Sequence, residues 1–199
     1  DTHTSQDLID QLKDEDALVV AHVGGRYADV KYAHDANLEP SVEVHSAWGT
    51  FEWILRDALE SNYRVGIVAS SDGHKGRPGA SYPGDSAFGS YGGLTCHLME
   101  NLTRDSLFTA FRKRHHYATT GARIFLSVTA SCFESSMPDA AASDTVINIG
   151  DIVETEHANV ALKFEVEGTA PIERVDVFDG FNILETYRPW DMDASTPRL

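Results

Sequence analysis

A carboxylate and an imidazole, Asp72 and His74, stand two positions apart directly after the apolar run 65–69. The run predicts a buried strand, and the glycine-rich residues behind it predict a loop. Just past a strand end, both side chains can point into one site at the edge of the sheet. A carboxylate oxygen beside an imidazole nitrogen suits zinc, manganese or iron. The Asp-x-His spacing therefore indicates a metal site; the alternative is a solvated turn stabilised by Asp72.

Two other predicted strands also end in residues that can do chemistry. His22 follows the apolar run 17–21, and the second strand, 41–45, carries Glu43 and His45. Side chains of a strand alternate with period two, so Glu43 and His45 are expected on the same side. Each is open to three roles: metal ligand, partner that orients an imidazole, or substrate contact.

The elements that must position these residues follow the order strand, loop, strand, helix, strand. This order is typical of parallel α/β architecture, in which sites assemble at the carboxyl ends of the strands. Three successive strand ends with ligand-type residues therefore strengthen the prediction of a metal site. The elements predicted around them are helix 6–13, strands 17–21, 41–45 and 65–69, helix 51–59, strand 93–99 and a helix capped by Thr103 that runs to about residue 114.

From residue 124 onwards, apolar and polar residues largely alternate, which predicts an antiparallel β segment. We expect two parts, 1–130 and an acidic part 131–199, with 131–150 as a connection. The strands predicted from this alternation are 124–129, 160–166, 175–178 and 183–186.

Charge and hydropathy exclude two classes of partner. The net charge is −15, which argues against binding nucleic acid by phosphate neutralisation. No apolar run approaches the roughly 18 residues of a membrane-spanning helix. A small anionic substrate remains compatible, because individual cations can bind it; the compartment stays open.

Several motifs together resemble a known family. Residues 20–25, 42–46 and 69–74 resemble the last motifs of the polymerase and histidinol phosphatase (PHP) superfamily of metallohydrolases. More closely, the chain resembles the related domain-of-unknown-function family 3604 over about residues 17–130. The stretches that carry the closer resemblance are 49–53, 76–79, 92–95 and 117–123.

The resemblance implies a distorted (β/α)7 barrel, of which this chain would hold the C-terminal βα units, followed by a small antiparallel sandwich-like segment. Such barrels hold two or three metal ions, commonly zinc or manganese, that activate water against phosphoesters. The metal ligands it implies are His22, Asp72 and His74, and it places Glu43 in the catalytic site beside Asp72 and His74.

The remaining site residues would meet the substrate or orient the ligands. Cations near the site suit an anionic group such as phosphate, although each is also compatible with an ordinary loop charge. This set comprises Arg26, His45, Lys75 and Arg77.

The chain has no His-x-His, the motif with which the superfamily opens. We therefore expect these residues to be the C-terminal part of a longer protein, with further ligands supplied upstream or by a second copy in a homo-oligomer. The predicted activity is a metal-dependent hydrolase, most simply a phosphoesterase. The alternatives are a carbamate, amide or ester hydrolase on the same fold, or a non-catalytic binding or structural module.

Overall fold

The computed structural model describes residues 2–23, 27–76, 91–133 and 146–189. Strands predominate there, with few helices. The helices are α1 Ser5–Leu12, α2 Trp53–Glu60 and α3 Arg104–Arg112. The strands are β1 Ser41–Ser46, β2 Gly49–Thr50, β3 Gly66–Ala69, β4 Leu94–His97, β5 His116–Thr119, β6 Phe125–Phe133, β7 Ile147–Asn148, β8 Asn159–Glu167, β9 Val175–Asp179 and β10 Asn182–Tyr187.

The architecture is mixed α/β, which confirms the predicted class at that level. The described strands form four sheets, ordered β2-β1-β3, β4-β5, β7-β6-β8 and β9-β10. None of these sheets closes into a barrel within the described ranges, so the barrel stays a prediction.

The β1-α2-β3 unit is the parallel element that the sequence predicts. β1 and β3 pair in parallel, with Val42 beside Ile67. Helix α2 packs on them through Ile54 and Ala58, both fully buried in one cluster with Val42. Burial of a side chain such as Ile54 stabilises the fold by about 1.5–3 kcal/mol. This unit is therefore a firm base for the side chains at its carboxyl end.

The predicted strand 17–21 is wrong as a regular strand. Only Ala21 pairs with β1, through an isolated parallel bridge to Val42. The same edge of β1 is occupied further on by β2, which pairs with His45 and Ser46. β2 does not compete with residues 17–20, because the parallel bridge sets these beside residues 38–41. That stretch lies mostly before the start of β1 at Ser41 and contains Pro40, which has no amide to donate. The single bridge still places the following His22 beside β1.

Helix α3 begins where the sequence predicts, because the Thr103 hydroxyl accepts the Ser106 amide at 3.2 Å. It ends at Arg112, and Arg114 adopts a left-handed backbone with φ of 58°. The chain then turns into β5, which sequence reasoning missed, and β5 pairs antiparallel with β4. The basic run 112–116 thus covers a helix end, a turn and the start of a strand.

The tail is antiparallel, as predicted. β6 pairs with β8 over nine residues, from Phe125 opposite Glu167 to Phe133 opposite Asn159. The hairpin β9-β10 turns at Gly180, whose φ is 57°. Part of the predicted connection 131–150 is strand instead, because β6 continues through Phe133 and β7 lies within it. The domain boundary at residue 130 and the sandwich-like packing stay predictions.

No helix in the described ranges is both long and apolar enough to cross a bilayer.

Candidate active site

Glu43 of β1 lies at the centre of a buried hydrogen-bond network. Its residue is 4% exposed, and its Oε2 accepts the Val23 amide at 2.7 Å and the His22 Nδ1–H at 2.6 Å. Its Oε1 accepts the Ser70 hydroxyl. A buried carboxylate is tolerated only with such partners. Glu43 therefore joins the strand ends that carry the predicted site.

The ring of His22 is oriented by this carboxylate. An ionised carboxylate only accepts hydrogen bonds, so Nδ1 carries the proton and Nε2 keeps a lone pair. That Nε2 lies 3.7 Å from Asp72 Oδ1, and the His22 side chain is 54% exposed. A carboxylate behind a histidine ring is the usual support of a metal-binding imidazole.

Asp72 presents the most informative carboxylate. Its Oδ2 is buried and has no hydrogen-bond partner among the described residues, while Oδ1 lies near His22. The backbone of Asp72 is left-handed, with φ of 48°. An unpaired buried acceptor costs about 1–3 kcal/mol, and more when it is charged. The Nδ1 atoms of His97 and His116 are likewise buried without a hydrogen-bond partner in the part of the chain that the structure describes.

His74 is held by the backbone of the same loop. Its Nδ1–H donates to the Asp72 carbonyl at 2.7 Å, which leaves Nε2 with the lone pair. The Nδ1 atom also lies 3.9 Å from Asp72 Oδ1. His22 and His74 thus each lie near the Asp72 carboxylate, with ring nitrogens 3.7 and 3.9 Å from its Oδ1; the metal-ligand assignment stays a prediction.

The cluster supplies only part of a coordination sphere. Among the residues that the structure describes, no three His, Cys, Asp or Glu side chains are grouped so as to hold an ion. The nearest approach of two different ligand side chains is His22 to Asp72. Structural and catalytic metal sites take three or four protein ligands, which these side chains alone do not supply.

The other predicted site residues fall into three groups. His45 pairs with the Thr50 hydroxyl at 2.8 Å through Nδ1, and burial lowers its pKa, opposed in part by the Glu43 charge. Lys75 is exposed beside His74. Arg26 and Arg77 lie outside the described residues, as does most of the motif 76–79.

Sequence reasoning missed three contributors to the site. Ser70 supplies the hydroxyl for Glu43, and its signal was its place as the first polar residue after β3. The Val23 amide had no signal, because any residue offers one. The hydroxyl of Ser46, fully buried, donates to the Val23 carbonyl at 2.7 Å and fixes the segment next to His22.

Comparison with known proteins gives three similar chains, all called uncharacterized proteins. The protein of Chlamydia trachomatis is 28% identical, with 81% of this chain and 29% of the relative aligned. The protein of Chlamydia muridarum is 30% identical with the same coverage, and that of Chlamydia pneumoniae is 27% identical, covering 76% and 26%. This chain thus spans less than a third of these relatives.

No family model and no solved structure matches the chain. The resemblance to PHP metallohydrolases therefore rests on the motifs alone.

Proposed function

We propose that this chain carries part of the active site of a metal-dependent hydrolase, most simply a phosphoesterase. The observation that supports this best is the buried, unpartnered Oδ2 of Asp72, in a cluster with His22 and His74. In a purely structural turn, such a carboxylate would be expected to find a donor or to lie in solvent.

The donor set suits a divalent metal ion such as zinc or manganese. His22 and His74 each use Nδ1 as a donor to an oxygen acceptor, so each keeps Nε2 for a metal. Asp72 adds a carboxylate. The remaining ligands would come from other parts of a longer polypeptide or from a second copy of the chain.

The site residues of this chain have separate tasks in this proposal. A divalent ion held by His22, Asp72 and His74 would lower the pKa of its bound water and polarise a substrate oxygen. Glu43 does not bind the metal, because all its described contacts hold His22, Val23 and Ser70 in place. It orients the ring of His22, while the exposed Lys75 attracts an anionic substrate.

The first test is metal content. After equilibration with zinc or manganese and gel filtration, elemental analysis should show less bound metal in His22→Ala, Asp72→Asn and His74→Ala than in wild type. His157→Ala is the control, because that residue lies in the tail before β8. Equal metal in all four variants, with folding matched by circular dichroism, would contradict the ligand assignment.

The second test is turnover, measured on this chain and on any longer polypeptide that contains it. Phosphate monoesters and diesters should be hydrolysed in preference to carboxyl esters and amides. Asp72→Asn should reduce the rate by at least about two orders of magnitude, since metal activation of water is lost. Metal-dependent turnover of carboxyl esters alone would replace the phosphoesterase with the other hydrolase class.

A further inference from the structure

A cavity of about 360 Å³ adjoins the candidate active site. One wall is the end of β3 with Ser71, which directly precedes Asp72. The others are the segment that leads into β4 and the turn between β5 and β6. The polar and aromatic residues around it are Ser71, Tyr91, Thr95 and Arg123. Its volume is within the range of small-molecule sites.

Glycines allow the main chains of these three segments to approach each other closely. A Cβ on Gly92, whose φ is 66°, would lie 2.6 Å from the Ser71 carbonyl oxygen. A Cβ on Gly121, whose φ is 108°, would lie 2.8 Å from the Gly92 carbonyl oxygen. Larger residues would force the three segments apart. The cavity is therefore formed by closely packed main chain, not by loosely placed side chains.

Arg123 is the cation of this cavity. No acidic side chain of the described residues forms an ion pair with it, whereas Arg112 pairs with Asp16 and Arg174 pairs with Asp176. Arg123 is exposed at the edge of the cavity, so its guanidinium is accessible to an anion that enters from solvent. A guanidinium presents a planar fork of donors that matches carboxylate and phosphate oxygens.

We propose that this cavity binds a phosphate or carboxylate group of a small molecule, with Arg123 as the residue that recognises it. Since Ser71 joins the cavity to Asp72, the bound anion is part of the substrate of the proposed hydrolase, and in this respect the inference rests on the proposed function. The substrate is accordingly a small acid that presents one anionic group to Arg123 while another bond is hydrolysed beside Asp72.

The test is a binding measurement that needs neither metal nor turnover. Isothermal titration calorimetry of the chelator-treated chain with inorganic phosphate, and separately with acetate, reports anion binding directly. Arg123→Gln should weaken the binding of at least one of the two anions about tenfold or more, because charge-assisted bonds to the guanidinium are lost. Arg123→Lys should retain part of the affinity. The arm that shows the effect identifies the anion.

The matched control is Arg104→Gln, which removes an arginine on α3 that does not line the cavity. Wild-type affinity in this control, with unchanged thermal unfolding of Arg123→Gln, supports the inference. Equal binding by Arg123→Gln and wild type, or no binding of either anion by wild type, overturns it. The proposed function is tested separately, by metal binding and hydrolysis measured after metal is returned to the same preparation, since these depend on Asp72.

Discussion

The β1-α2-β3 unit and the tail sheets differ in how far they bury their apolar side chains. Val42 and Ile54 of the unit are 1% and 0% exposed. In the tail, Leu162 of β8 and Ile183 of β10 are 48% and 57% exposed. The unit therefore has its own core, whereas the tail keeps large apolar side chains in contact with solvent. The candidate site stands on the part with the core, where its geometry can be held firmly.

Truncation of the core should give the largest effect. Ile54→Ala should lower the free energy of unfolding by about 2–5 kcal/mol, because the removed atoms leave a cavity between α2 and β1. Urea unfolding followed by circular dichroism measures it. The matched truncation in the tail, Ile183→Ala, should cost well under half as much. Similar losses in both variants would mean that β10 is as well packed as α2.

Glu43→Ala should come next, with a loss of roughly 2–4 kcal/mol, because it leaves the buried Val23 amide and the Ser70 hydroxyl without their acceptor. Its counterpart in the tail is Glu165→Ala, on exposed β8, which should change stability by less than about 0.5 kcal/mol. Chemical denaturation of both variants gives the comparison. A Glu43 variant as stable as wild type would contradict the central role of this carboxylate.

Acidification should weaken the part that holds the site. His116 of β5 is 3% exposed, contacts the Ser41 hydroxyl at 2.9 Å, and has a pKa lowered by burial to about 4. The unfolded chain binds this proton near pH 6.5, so the stabilisation is complete above that pH. It is lost as the pH falls from 6.5 towards 4, by about 2 kcal/mol at pH 5.

Unfolding at pH 7 and pH 5 measures this dependence, and His116→Asn should flatten it. Hydrogen exchange at pH 5 should accelerate in β5 more than in β8, because β8 contains no histidine. An unchanged slope in the variant would assign the pH dependence to other groups, such as His45 or His97, whose pKa values burial also lowers.

The smallest expected effect tests whether the apolar side chains of β8 are exposed to solvent. Leu162→Ser should change the free energy of unfolding by less than about 0.5–1 kcal/mol, since the side chain is half exposed. Sedimentation or gel filtration should show equal or weaker self-association in the variant. A loss above about 2 kcal/mol would instead show that another copy or segment packs on β8 in solution.

The sequence predicts what depends on period and order along the chain. The β1-α2-β3 unit follows from a helical apolar face between two strand-like runs. The proximity of His22 to Asp72 follows from the order of the segments that precede them. The antiparallel pairing of β6 with β8 follows in the same way from alternation.

What could not be predicted depends on competition between segments. The run 17–21 has strand composition, yet its register sets residues 17–20 beside residues 38–41, mostly before β1 begins. The strand β5 begins at the last residue of the basic run 112–116, which also ends helix α3. Arg123 ends the stretch 117–123 that carries the family resemblance, but its place at a cavity could not be predicted, because Gly92 and Gly121 bring distant segments together.

The network around Glu43 also sets the order in which the site can be made. Its three partners lie 20, 21 and 27 residues away along the chain. During synthesis, Glu43 is therefore added after His22 and Val23 and before Ser70 and Asp72. A nascent chain that ends before β3 holds His22 and Glu43 but lacks Ser70 and Asp72. In the proposed metal site, binding of an ion would therefore require β3 to have been synthesised.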